Sequence, residues 1–165
     1  MIYTVANHMK EIQTTLLYLF KENQILLAMK KRGFGAGNYN GIGGKLEPGE
    51  TVEQAMLRET MEEINVTPTN YQKHGVLRFD MYVKGEHVLE DVHVFTATEF
   101  AGEPCETEEM RPSWFDLKQI PWEQMYPTDK MWLPWLIENR GSLNGFFKFS
   151  GGLEAKLVDY HLETK

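Results

Sequence analysis

The chain has 165 residues, a formal net charge of -7, 42% hydrophobic residues and a single cysteine, Cys105. A length in this range suits one domain over residues 1–165, burying roughly 70% of its unfolded surface without a structural metal. Cys105 alone forms no internal disulfide, in keeping with a reducing compartment, and the acidic balance argues against a surface built to hold long nucleic acid.

A small polyanion delivered with a divalent cation remains open, because the cation reverses the local electrostatics. The start, Met1-Ile2-Tyr3-Thr4-Val5, lacks the basic and apolar segments of a signal peptide. No apolar run approaches the ~20 residues of a membrane span. The expectation is therefore a cytoplasmic protein with no membrane partner.

In chain order, Thr14 to Phe20 reads as a buried strand, Glu22-Asn23 as a turn and Ile25 to Met29 as a returning strand. Gly33, Gly35, Gly37, Gly41, Gly43 and Gly44 then mark a loop that approaches something closely. Thr51 opens a helix, with Gln54 completing a capping box. Val52, Ala55 and Met56 give it an apolar stripe to about Ile64, with Pro68 beyond its end. Val76 to Val83 and Val88 to Ala97 form a hairpin across Lys84-Gly85-Glu86-His87. Arg111 to Phe115 is a short strand, and Pro127-Thr128-Asp129 starts a second helix through Asn139, broken or kinked at Pro134. Phe146 to Phe149 and Leu157 to Leu162 are late strands. Mixed strands with two separated helices predict an α/β sandwich.

The chemistry concentrates in Gly44-Lys45-Leu46-Glu47-Pro48-Gly49-Glu50, continuing through Arg58-Glu59-Thr60-Met61-Glu62-Glu63-Ile64-Asn65-Val66. On a helix Glu59, Glu62 and Glu63 share one face. Two like charges 4 Å apart at an effective dielectric near 20 repel by about 4 kcal/mol. A hard divalent ion with oxygen ligands relieves this, and Mg²⁺ suits carboxylates plus substrate phosphate. The backbone carbonyls of Gly43 and Gly44 are candidate further ligands. Arg58 is placed to orient a carboxylate, and Glu50 either to pair with Arg58 or to hold an outer water. The ordinary alternative is a solvated acidic helix face. Six specified residues, each at roughly 7% usage, match on the order of 10⁻⁷ of starting points by chance, which disfavours it.

Residues 44–66 resemble the Nudix box, G-x5-E-x7-R-E-U-x-E-E-x-G-U, with U a bulky aliphatic. Thr60 replaces an aliphatic, and Asn65 stands where the box ends its helix with glycine. The likeness continues through Lys30 to Gly37, Asn40-Gly41, Asp91 to Phe95, Glu109 to Pro112, Trp114-Phe115, Gln119 to Pro121 and Phe147 to Phe149. Over about residues 14 to 162 the chain is similar to the animal MutT-type branch of that family, the oxidized purine nucleoside triphosphatases. The resemblance implies a Nudix fold, an α/β/α sandwich with a mixed central sheet. It also implies Mg²⁺-dependent cleavage of a small nucleoside triphosphate such as 8-oxo-dGTP to monophosphate and pyrophosphate, with Mn²⁺ as a substitute ion.

By the same resemblance Glu59 and Glu63 are metal ligands, Glu62 supports them, and Glu109 adds a carboxylate as ligand or general base. The base pocket falls to Thr15, Lys30, Phe34, Asn40, Phe79, Met81, Glu90, Tyr126, Thr128, Asp129 and Trp132. Each has an ordinary alternative: Asn40 as a turn residue, Phe34 and Trp132 as core aromatics, Thr15, Phe79 and Met81 as strand packing, Lys30 as a surface lysine. His93 reads as structural. Two departures stand out. The related enzymes carry adjacent aspartates where this chain has Thr128-Asp129, and Glu90 stands where they have a methionine. Glu90 is thus a candidate second carboxylate, with Asp91 on the opposite strand face, and purine tolerance is expected to narrow. Tyr126 replaces a tryptophan. Competing readings are a Nudix hydrolase of dinucleoside polyphosphate (Tyr82 is the candidate marker), ADP-ribose or a capped RNA end, and a non-catalytic nucleotide-binding module. A monomer is expected, with a dimer as the alternative.

Overall fold

The computed structural model describes residues 9–151 and 155–165; the stretch Met1–Val5 read above for targeting lies outside them. Its strands are β1 (Lys10–Lys21), β2 (Gln24–Lys30), β3 (Tyr39–Asn40), β4 (Thr67–Val83), β5 (Glu86–Ala101), β6 (Met110–Asp116), β7 (Leu143–Phe149) and β8 (Leu157–Thr164). Helix α1 spans Val52–Ile64 and α2 spans Asp129–Asn139, with a 3₁₀ turn at Trp122–Gln124. The strands form one mixed sheet in the order β3-β2-β1-β5-β4-β7-β8, with β6 also paired to β2. β1 runs parallel to β5 and β4 parallel to β7, while the other pairs are antiparallel.

Alternation along the strands splits the core in two. Leu17, Leu19, Leu26, Ala28, Phe95 and Ala97 turn to one face, where Met56 and Ile64 of α1 cover them. Tyr18, Phe20, Ile25, Leu27, Val92 and Val94 turn to the other, under Trp132, Leu133 and Leu136 of α2. Each fully buried side chain of this kind contributes roughly 1.5–3 kcal/mol. The sheet is therefore held between helices, as an α/β/α sandwich. Among the described residues no helix is long and apolar enough to cross a membrane.

Helix α1 begins where its caps dictate. The Thr51 side chain accepts from the Gln54 N–H at 3.1 Å, and the Gln54 side chain accepts from the Thr51 N–H at 2.9 Å. It ends at Asn65, left-handed at φ 60°, whose N–H returns to the Met61 carbonyl. Thr60 is fully buried and turns its hydroxyl onto the Met56 carbonyl at 2.7 Å, so the polar replacement is satisfied inside the helix.

Three readings change. The hairpin turn is two residues, Lys84 and Gly85, both at positive φ (51° and 83°), so the strands run to Val83 and from Glu86. β4 starts at Thr67 and takes in Pro68, tolerated beside register shifts that break its pairing with β5. Pro134 sits inside an unbroken α2.

Candidate active site

Arg58 organises the acidic face of α1. Its Nε donates to Glu50 Oε1 at 2.7 Å and its Nη2 to Glu50 Oε2 at 2.9 Å, the two-pronged pairing that was one of the roles expected of Glu50. Nη1 donates to Glu59 at 2.8 Å and to Glu62 at 3.2 Å, and Nη2 also reaches the Lys45 carbonyl at 3.0 Å. The guanidinium thus ties the loop before the helix to two carboxylates on it. It holds Glu50 down to about 2.

Glu63 lies deeper, 6% exposed, on the side of α1 toward the sheet. Its carboxylate accepts from the Gly43 N–H at 3.1 Å. Burial, with Glu59 and Glu109 adding repulsion, pushes it up to about 8. Burial also raises Glu59. Gly44 is needed for this approach, since a Cβ there would stand 2.5 Å from the Glu59 carboxylate carbon.

Those observations fit a divalent cation: hard oxygen donors, partly buried, their negative charge incompletely offset. Among the described residues no three acidic side chains converge on one point, because Arg58 draws Glu59 and Glu62 and Arg32 draws Glu109 at 2.7 Å. Glu62 is mostly exposed, which leaves it at the margin. Gly44 has one of its two carbonyl lone pairs engaged. Its carbonyl accepts the Thr15 N–H at 2.9 Å and is built into the contact with β1. Among the described residues no donor reaches the Gly43 carbonyl.

On the other face of the sheet, strand pairing sets Glu90 beside Phe79, and Phe79 stacks on Phe147 at 5.1 Å. Met81 follows two residues along the same face. Asp129, at the start of α2, is 4% exposed; burial raises it to about 7, although it accepts the Tyr126 N–H at 3.2 Å. Burial likewise raises Glu90, while Thr14, Lys45 and Lys30 act to lower it. Burial raises the Tyr126 phenol, and the charges of Asp129 and Glu90 add to that rise. Gly35 brings the glycine loop onto the Tyr126 hydroxyl, where any side chain would collide. Thr128 is buried at the N-terminus of α2 and makes no side-chain capping bond.

Three expected pocket residues stand differently. Thr15 is not with the others: it pairs in register with His93, one residue out of step with Tyr18, and turns to the α1 face. There the Thr15 hydroxyl and His93 Nδ1 are both buried without a partner among the described residues. His93 Nε2 meets Gln13 at 2.6 Å, a structural contact. Asp91 is on that face too, salt-bridged to Arg78 at 2.6 Å, as strand alternation required. Phe34 is no core aromatic, being 69% exposed in the glycine loop. Trp132 is 1% exposed and packs edge-on against Tyr18 at 5.9 Å, so its faces are covered. Its indole N–H is buried close to Asp129, and the ring is no open stacking platform. Two residues were missed. Tyr18 looks like any aromatic in a buried strand, and Arg32 is one of three basic residues in a row; only tertiary contacts distinguish them.

Residues 10–136 match the family model described as NUDIX domain. The chain is 47% identical over 137 residues to the oxidized purine nucleoside triphosphate hydrolase of Danio rerio, covering 83% of this chain and 86% of that protein. It is 44% identical over 135 residues to the protein of the same description from Mus musculus, covering 82% and 85%. Its fold matches the crystal structure of a MutT protein from Bacillus halodurans at a TM-score of 0.75 and 25% identity, over 92% of this chain and 97% of that one.

Proposed function

This chain belongs to the NUDIX domain family, and from that premise we propose that it is a Mg²⁺-dependent hydrolase cleaving an oxidized purine nucleoside triphosphate of the 8-oxo-dGTP type to the monophosphate and pyrophosphate. The observation that carries the proposal is the arrangement around Arg58. The box acids Glu59 and Glu63 stand half-buried or buried, with raised pKa values, beside a glycine pair that leaves room for them.

Glu59, Glu63 and Glu109, with the Gly43 carbonyl, would hold the cation, which when bound neutralises the acids and the phosphate chain. Mn²⁺ has the same preference for oxygen donors. Arg58 keeps Glu59 and Glu62 oriented. Water would attack, in line, one of the two phosphorus atoms joined by the α–β bridging oxygen. The bond from that phosphorus to the bridging oxygen breaks, monophosphate and pyrophosphate separate, and one of the glutamates takes the proton of the water. Lys30, at the end of β2 and close enough to act on both Glu63 and Glu90, suits a contact with the phosphates or sugar.

The base is assigned to the α2 face: Asn40, Phe79, Met81, Glu90, Tyr126, Asp129 and the N–H edge of Trp132, with Thr128 at the rim and Phe34 on the loop. The names of the Danio rerio and Mus musculus relatives support an oxidized purine as substrate. Thr128, a hydroxyl where the related enzymes have a second aspartate, supports a narrower purine range, since it cannot become an anion. Turnover of 8-oxo-dGTP, 2-hydroxy-dATP, O6-methyl-dGTP, ADP-ribose and a dinucleoside polyphosphate, ranked by kcat/KM, tests this reading. 8-oxo-dGTP should lead. Equal efficiency on the three purine triphosphates would remove the narrowing, and a lead for ADP-ribose or the dinucleotide would replace the substrate class.

A further inference from the structure

Asn40 is placed by two donors. The Gly41 N–H donates to Asn40 Oδ1 at 2.8 Å. A backbone N–H only donates, so the atom it meets must be the amide oxygen and not the nitrogen. The Tyr18 hydroxyl donates to the same oxygen at 3.1 Å. Both lone pairs of that oxygen are thereby used, and among the described residues the Asn40 NH₂ group makes no hydrogen bond. It is left as a pure donor.

Tyr18 is suited to enforce this. It is fully buried among apolar side chains of the α2 face, and Asn40 is the hydrogen-bond partner of its hydroxyl. Burial, followed by the charge of Asp129, raises its pKa well above the usual phenol value, so it remains a neutral donor. The ring edge also abuts Trp132, whose indole Nε1–H is buried without a hydrogen-bond partner among the described residues. That N–H lies near enough to lower the pKa of Asp129 but not in bonding geometry. One aromatic ring thus braces two unpartnered donors.

We propose that Tyr18 is a positioning residue for purine selection: its hydroxyl locks Asn40 with the amide NH₂ toward the bound base, so that the pocket prefers the acceptor-bearing edge of a 6-oxopurine over the amino edge of a 6-aminopurine. This rests on the function proposed above. A donor set against an amino group leaves both unpaired, a mismatch costing between about 5- and 100-fold in kcat/KM.

The test is a double-mutant cycle on the full chain with Mg²⁺. Tyr18→Phe keeps the ring volume and deletes the hydroxyl. It should raise KM for 8-oxo-dGTP about tenfold with kcat within about twofold. The preference for 8-oxo-dGTP over 2-hydroxy-dATP should fall about fivefold. In an Asn40→Ala background the same change should have no further effect beyond about twofold. Equal losses in both backgrounds, or an unchanged preference, would mean that Tyr18 acts by packing alone and would overturn the proposal. Asn40→Asp keeps an oxygen for Gly41 and Tyr18 and swaps the donor for an acceptor; it should lower the preference at least tenfold, and an unaltered preference would count equally against it. Wild-type protein inactive on both triphosphates would instead sink the substrate reading, and this inference with it.

Discussion

The two sides of the sheet are built on different physics. The α1 face is organised by charge: one guanidinium pins Glu50, Glu59 and Glu62, and Glu63 is buried behind them. The α2 face is organised by hydrogen-bond polarity, through neutral donors on Asn40 and Trp132 and acids whose pKa values burial raises. Charge acts along one helix at fixed spacing, whereas polarity is assembled from residues 18, 40, 90, 129 and 132 on four elements distant in sequence. On the function proposed above, the first arrangement would set the reaction type. The second would set what is chosen.

The largest effect should come from the charged side. Glu63→Gln should lower turnover by about 10³-fold or more while the melting temperature without metal stays level or rises, because a buried acid pushed up to about 8 becomes a neutral amide. A large loss of stability would show that Glu63 is structural and erase the contrast between the two faces.

On the polar side, Asp129→Asn should reduce kcat/KM for 8-oxo-dGTP by roughly 10–100-fold and stabilise the protein at high pH. The acid holds its proton to about 7 when folded, against an ordinary value of 3.8. The folded state therefore binds more protons than the unfolded chain between about pH 4 and 7, and stability falls as pH rises through that window. The loss reaches about 4 kcal/mol at most and levels off above it. Melting temperatures of the wild type and the variant should diverge from pH 5 to pH 8, the variant higher. Parallel curves would mean that Asp129 is ionised throughout.

How legible each side was follows from the same contrast. Glu59, Glu62, Glu63, Arg58 and Glu50 lie within 14 residues, and helix periodicity alone puts them together. The Thr51–Gln54 box and the left-handed Asn65 were readable for the same reason, since caps are local. Thr15 was misplaced because one residue of strand register inverts a side chain's face, and nothing local to the sequence reveals it. Tyr18 was overlooked because its partner is 22 residues away across the sheet. The length of β4 was underestimated because Thr67 to Gly75 is mostly polar and carries register shifts against β5 that no local pattern reveals.

Two smaller effects sharpen the comparison. Mg²⁺ at about 100 times its dissociation constant should stabilise the fold by about 2.7 kcal/mol, and Glu63→Gln should lose most of that gain while Asp129→Asn keeps it. Differential scanning fluorimetry reads both, and equal gains in the two variants would place the ion elsewhere. Asn65→Gly, which relieves a left-handed asparagine at φ 60°, should add at most about 1 kcal/mol without altering kcat/KM. A change in turnover there would mean that the helix end adjusts the acids as well as terminating α1.

Product formation from 8-oxo-dGTP with Mg²⁺ and with excess chelator probes the core of this account in one assay. The expected outcome is monophosphate and pyrophosphate in equal amounts with the ion, and none without it. Turnover persisting in chelator, or orthophosphate released in place of pyrophosphate, would contradict it.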